Sequence, residues 1–192
     1  GVIGFGGNAA YWDNISSQNA LAVTVSPGSF TERVSSRWQA PSHWKGVYTS
    51  GSVRVEVAKF ITHDNVAVAN LTLVNAGSSA TTLSLRATSP YATTVSGGEL
   101  TGARPVKNNL TTIRPRLAGD GFTAASGALT RSVTLGAGQS TTTKLHFASR
   151  RLVPMSPAHG HALAPPASFF ASRRRRCWSE RRWERFPHDR TD

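Results

Sequence analysis

Residues 52–75 read SVRVEVAKFITHDNVAVANLTLVN. In the first half Val53, Val55 and Val57 alternate with Arg54 and Glu56, the two-residue period of a strand with one face buried and the other wet. His63-Asp64-Asn65 supplies turn chemistry. Val66 to Val74 is then apolar at nearly every position, as expected of a strand covered on both faces. Two such segments joined by a short turn form an antiparallel pair. Working outward, Leu83, Leu85 and Ala87 alternate with Thr82, Ser84 and Arg86 and read as the third member of the same meander. Upstream, Ala20 to Val25, the turn Ser26-Pro27-Gly28-Ser29, and Phe30 to Ser36 read as a hairpin. Downstream, Ala128 to Leu135 and Thr141 to Phe147 flank Gly136 to Ser140, a loop of ordinary hairpin length.

No long helical period with capping residues appears, and no repeat of fixed length emerges. The expected class is all-β: an antiparallel β-sandwich followed by an irregular or disordered Arg-rich tail. The boundary falls near residue 150, giving a sandwich over 1–149, complete or not, and a tail over 150–192. The first 149 residues hold 37 Val, Ile or Thr, whereas the last 43 hold only Val153 and Thr191, so the strand-forming vocabulary stops there. Of the 22 Lys+Arg, ten are Arg beyond residue 149, and each part carries net +6. This Arg, Pro and Trp-rich tail has three readings: a nucleic-acid arm, a solvated disordered segment, or the product of a shifted reading frame in GC-rich DNA. Nucleic acid ranks last among the partners considered.

Several classes are set aside on composition. No run approaches the ~18 apolar residues of a membrane helix, and the amino end lacks the pattern of a secretory leader. Gly1 stands where an initiator Met would be, so the chain reads as processed or as a fragment. The single cysteine, Cys177, makes no internal disulfide. Of the first 149 residues' carboxylates (Asp13, Glu32, Glu56, Asp64, Glu99, Asp120), none forms a pair recognisable as the two acids of a glycosidase; Asp64 and Asp120 read as turn residues. His43, His63 and His146 lack metal-ligand spacing, and no nucleophile elbow or phosphate loop is present. Catalytic residues, metal and cofactor are therefore expected to be none. Asn14, Asn70 and Asn109 begin short glycosylation sequons.

The aromatic residues remain. Tyr11-Trp12-Asp13-Asn14 and Trp38-Gln-Ala-Pro-Ser-His-Trp44 place Tyr11, Trp12, Trp38 and Trp44 in segments that read as loops. Flat rings beside amide and carboxylate groups suit a sugar, whose C–H face packs on a ring while its hydroxyls bond at the edge. The competing reading is that these rings plug the ends of the sandwich.

The stretch Arg37-Trp-Gln-Ala-Pro-Ser-His-Trp-Lys-Gly and the strands from Tyr48 to Ala76 resemble the β-sandwich preceding an α/α-barrel catalytic domain in secreted bacterial glycoside hydrolases, the glucosidase-like group of glycoside hydrolase family 63 and its neighbours. Residues 129–144 are similar to a closing hairpin of such sandwiches, and the resemblance ends near residue 148. It implies an extracellular, non-catalytic domain that supports a barrel absent from this chain and contacts carbohydrate through Tyr11, Trp12, Trp38 and Trp44. Family catalytic carboxylates lie in the barrel, so none carries over. The alternative is a free-standing carbohydrate-binding or adhesive sandwich.

Overall fold

The computed structural model describes residues 3–5, 19–105 and 112–152. All of them belong to the compact unit Gly1–Pro154; residues 153–192 of the Arg-rich tail lie outside the described residues. The strands are β1 (Ala22–Ser26), β2 (Thr31–Ala40), β3 (His43–Ser50), β4 (Val53–Ile61), β5 (Val66–Asn75), β6 (Thr81–Thr88), β7 (Thr94–Ser96), β8 (Glu99–Thr101), β9 (Arg104–Pro105), β10 (Thr112–Gly119), β11 (Thr123–Ala125), β12 (Ala128–Leu135) and β13 (Ser140–Leu152). No helix occurs among the described residues. β13 runs three residues past the boundary expected at 149.

Two antiparallel sheets form a sandwich, as the sequence predicts. The smaller has the order β1-β6-β12-β11; the larger has the order β2-β3-β4-β5-β13-β10-β8-β7, with β9 on β10. The alternation in β4 holds: Val55 and Val57 are buried and Arg54 is exposed. In β5 the inward Ala69, Leu71 and Leu73 are buried, but the outward residues are only half-covered, Val68 excepted. The expectation of full cover on both faces is thus met on one. The core joins these residues to Leu145, Phe147 and Leu117 of the same sheet, and to Leu83, Leu85, Leu129 and Val23 of the opposing one. Each fully buried Leu or Val contributes about 1.5–3 kcal/mol by removal from water, offset by the entropy of ordering the chain.

Three connections differ from the sequence reading. β1 pairs with β6 and not with β2; β6 lies opposite β4 and β5 and does not extend their meander; β12 and β13 belong to different sheets. All three supposed hairpin links are crossovers. Period-2 alternation reports which face of a strand is buried, and a strand facing inward from either sheet gives the same pattern. Sheets stack ~10 Å apart, a gap that links of four or five residues such as 27–30, 76–80 and 136–139 can span. The tightest true hairpins, at Pro41–Ser42, Gly51–Ser52, Gly97–Gly98 and Ser126–Gly127, have two-residue turns.

Two of the crossovers meet at Asn75, the buried last residue of β5. Its Nδ2 donates to the carbonyls of Ser79 (2.8 Å), Gly136 (3.0 Å) and Leu135 (3.2 Å), and its Oδ1 accepts from the Gly77 N–H (3.0 Å). One amide therefore ties the β5–β6 link to the β12–β13 link.

Candidate carbohydrate-binding face

The segment expected to be a loop around Trp38 and Trp44 is the β2–β3 hairpin, and both tryptophans lie on strands. Aromatic residues suit a pleated, half-buried surface, and only Pro41 and Ser42 form the turn. β2 is an edge strand, and its pairing slips: five steps from Arg33 to Trp38 match two from Val47 to Lys45. Ser36 fills this bulge, its hydroxyl donating to the Arg33 carbonyl (2.6 Å) and accepting the Val47 N–H (2.9 Å). Arg37 spans it as well, binding both oxygens of Glu32, with Nη2 to Oε2 at 2.7 Å. The Arg37 bond holds the Glu32 carboxyl down to about 2. Tyr48, opposite Glu32 in register, is pushed up to about 12 by burial and, secondarily, by the Glu32 charge. Its hydroxyl has no hydrogen-bond partner among the described residues.

Register then separates the two tryptophans. Trp38 pairs with Lys45, whereas Trp44 pairs with Gln39; adjacent pairs on a ladder point to opposite faces. Trp44 shares the inward face with buried Tyr48 and packs on Gly46, where an added Cβ would come within 2.3 Å of Cη2. Lys59 Nζ stands 4.0 Å over the Trp44 ring and donates to the Gly4 carbonyl at 3.0 Å; burial pushes its pKa down. Trp44 is a half-buried packing residue. Trp38 is 49% exposed on the outer face, 4.6 Å from the His43 ring and 5.4 Å from Lys45 Nζ. Tyr11 and Trp12 lie outside the described residues.

The outer face has two rows of in-register residues crossing the strands. One runs Trp38, Lys45, Ala58, Asn70, Lys144; the other runs His43, Phe60, Val68, His146. Phe60 is 36% exposed. His146 is half-covered, and burial lowers its pKa, against a smaller opposing effect of Asp120. The Asn70 Oδ1 has no partner among the described residues. Sequence reasoning missed Lys45, Phe60, Asn70 and Lys144 as members of this face. The alternation of β3 and β4 carried the signal for Lys45 and Phe60, once the two-residue turn at Pro41 fixed the register.

Glu56, Glu99 and Asp64 have side-chain partners, whereas Asp120 is exposed next to Lys144, to whose carbonyl its N–H donates at 3.0 Å. Glu56 bonds Arg54 at 2.8 Å, Glu99 bonds Arg116 at 2.6 Å, and Asp64 lies 3.2 Å from His63 in an exposed turn. Asp120 also sits in a turn, its backbone carbonyl accepting from Arg131 (2.6 Å) and Thr143 (2.9 Å). Among the described residues no three acidic, His or Cys side chains cluster as metal ligands would.

No family model matches the sequence. Among solved structures the chain is similar to a protein provisionally described as a kojibiose phosphorylase from the human microbiome, with TM-score 0.45 and 9% identity over 69% of this chain. It spans only 22% of that phosphorylase's length. It is also similar to a protein provisionally described as an aldose 1-epimerase from Escherichia coli K12, with TM-score 0.40 and 11% identity over 65% of this chain and 69% of the other. Likenesses at this level carry neither a family nor an activity across.

Proposed function

We propose that this chain is the non-catalytic amino-terminal β-sandwich of a secreted glycoside hydrolase, one that supports a catalytic barrel and contacts carbohydrate on the outer face of its larger sheet. The observation that carries the reading is Trp38: a large ring half exposed on a strand, held laterally by His43 and Lys45. Burying that ring would be the ordinary outcome for a structural tryptophan, as Trp44 shows on the opposite face. A ring fixed on a rigid strand presents a flat apolar surface at little entropic cost, with cation, imidazole and amide groups alongside for hydroxyls.

The supporting role rests on the family resemblance of residues 1–148.

The test is a titration of the full chain with a panel of soluble oligosaccharides, following tryptophan emission, beside the W38A variant. Binding that perturbs emission and weakens at least about tenfold in W38A, the effect of losing a stacking platform of ~1.4 kcal/mol or more, is expected. A silent panel, or a W38A variant that binds like the parent, would refute the sugar contact.

A further inference from the structure

The outer-face row through Trp38 specifies more than a sugar ring. Residue by residue, ladder pairing joins Trp38 to Lys45, Lys45 to Ala58, Ala58 to Asn70 and Asn70 to Lys144, across β2, β3, β4, β5 and β13. At ~4.8 Å per strand, the backbones bearing Lys45 and Lys144 stand about 14 Å apart, with Trp38 one strand further out. Both ammonium groups are exposed, and neither makes an ion pair among the described residues. The acidic side chain that flanks Lys45 diagonally on this face, Glu56, is bound by Arg54 at 2.8 Å. The line between the two lysines holds only Ala58, which is small, and the half-buried Asn70, neither of them charged. A track with an aromatic platform at one end and two exposed cations along it is complementary in charge to an extended anion that ends at Lys144, because the exposed Asp120 takes the next cross-strand position beyond it.

Resting on the carbohydrate reading above, we infer that the outer face takes an acidic glycan, a chain of uronate or sulfated sugars, lying across the strands with one ring on Trp38 and anionic groups on Lys45 and Lys144. The electrostatics select the charge class and the ring selects a sugar over a simple polyanion. Exposed ion pairs are individually weak, so the preference comes from several together with stacking.

The experiment is calorimetric titration of the full chain with tetragalacturonate and with cellotetraose, at low and at high salt, for the parent and for W38A, K45Q and K144Q. The acidic tetramer is expected to bind about tenfold more tightly than the neutral one at low salt, with the advantage shrinking as salt screens it. K45Q and K144Q should each weaken the acidic ligand about two- to fivefold, the scale of an exposed ion pair, and leave the neutral one unchanged; W38A should weaken both. Equal affinity for the two tetramers, with K45Q and K144Q inert and W38A damaging, would overturn the acidic class and leave the sugar contact standing. Binding of neither tetramer would remove both. Acidic binding that survives all three substitutions would be charge attraction to the Arg-rich residues 150–192 alone, and overturns the inference as well.

Discussion

Replacing Asn75 by Ala should cost about 3 kcal/mol of folding stability. Its amide nitrogen has two protons and three carbonyls in reach, those of Ser79, Gly136 and Leu135. They amount to two full bonds shared among three acceptors. The Gly77 N–H adds a third bond at Oδ1. Each is worth about 1 kcal/mol net, and a buried group left unpaired costs more than that; Asn75 itself is 1% exposed. Against a total stability of about 5–15 kcal/mol the loss is large. Urea unfolding followed by tryptophan emission measures it: with a slope of about 2 kcal/mol per molar, the midpoint should fall by about 1.5 M. Asn75→Asp refines the test. It keeps the Gly77 bond but turns an acceptor toward three carbonyl oxygens, so at neutral pH it should be worse than Ala. The folded-state pKa of that new carboxyl is raised, so its proton stabilises the fold at low pH and this stability is lost as pH rises through the raised value. An Asn75→Ala variant within about 0.5 kcal/mol of the parent would refute the reasoning, leaving the two crossovers fixed by burial of Leu73 and Leu135 alone.

Gly46→Ala forces a Cβ to 2.3 Å from Trp44 Cη2 and should cost about 1–3 kcal/mol through overpacking; an unshifted tryptophan emission and urea midpoint would contradict that packing. Glu32 is held at about 2, chiefly by Arg37, below the ordinary value of about 4.3. Its contribution is therefore present above about pH 4.3 and lost as pH falls toward 2, so Arg37→Ala should flatten that part of a thermal-midpoint profile, and parallel profiles would count against the pair. Tyr48→Phe removes a buried hydroxyl with no partner among the described residues and should leave stability unchanged or raise it by up to about 1 kcal/mol. A loss beyond 1 kcal/mol in urea unfolding would mean the hydroxyl is bonded.

The strands themselves were legible because burial imposes period 2 wherever one face is apolar. Val53 to Val57, Leu83 to Ala87 and Leu145 to Phe147 alternate as their positions demand. Which strand lies beside which was not legible. β1, β6 and β12 alternate as cleanly as β4 does, yet they form the opposite sheet, and their links contain the same Gly and Ser residues that make hairpins. What distinguishes a crossover at 76–80 is Asn75 reaching forward to Leu135 and Gly136, about sixty residues away. No local pattern encodes that partner.

The candidate face shows the same division at finer scale. Trp38 and Trp44 are both tryptophans in one short segment, and composition treats them alike. A two-residue turn at Pro41–Ser42 makes Lys45, not Trp44, the partner of Trp38. That one-residue offset sends Trp44 inward onto Gly46 and leaves Trp38 outward beside a cation. Parity thus decides which ring is core and which is platform. It also decides the chemistry around the platform, because the residue that takes the cross-strand position is a lysine, continued across the sheet by Ala58, Asn70 and Lys144. Among the described residues, Trp38 is therefore the ring on which the proposed sugar contact rests, and the cations that share its row are what the proposed acidic ligand class rests on.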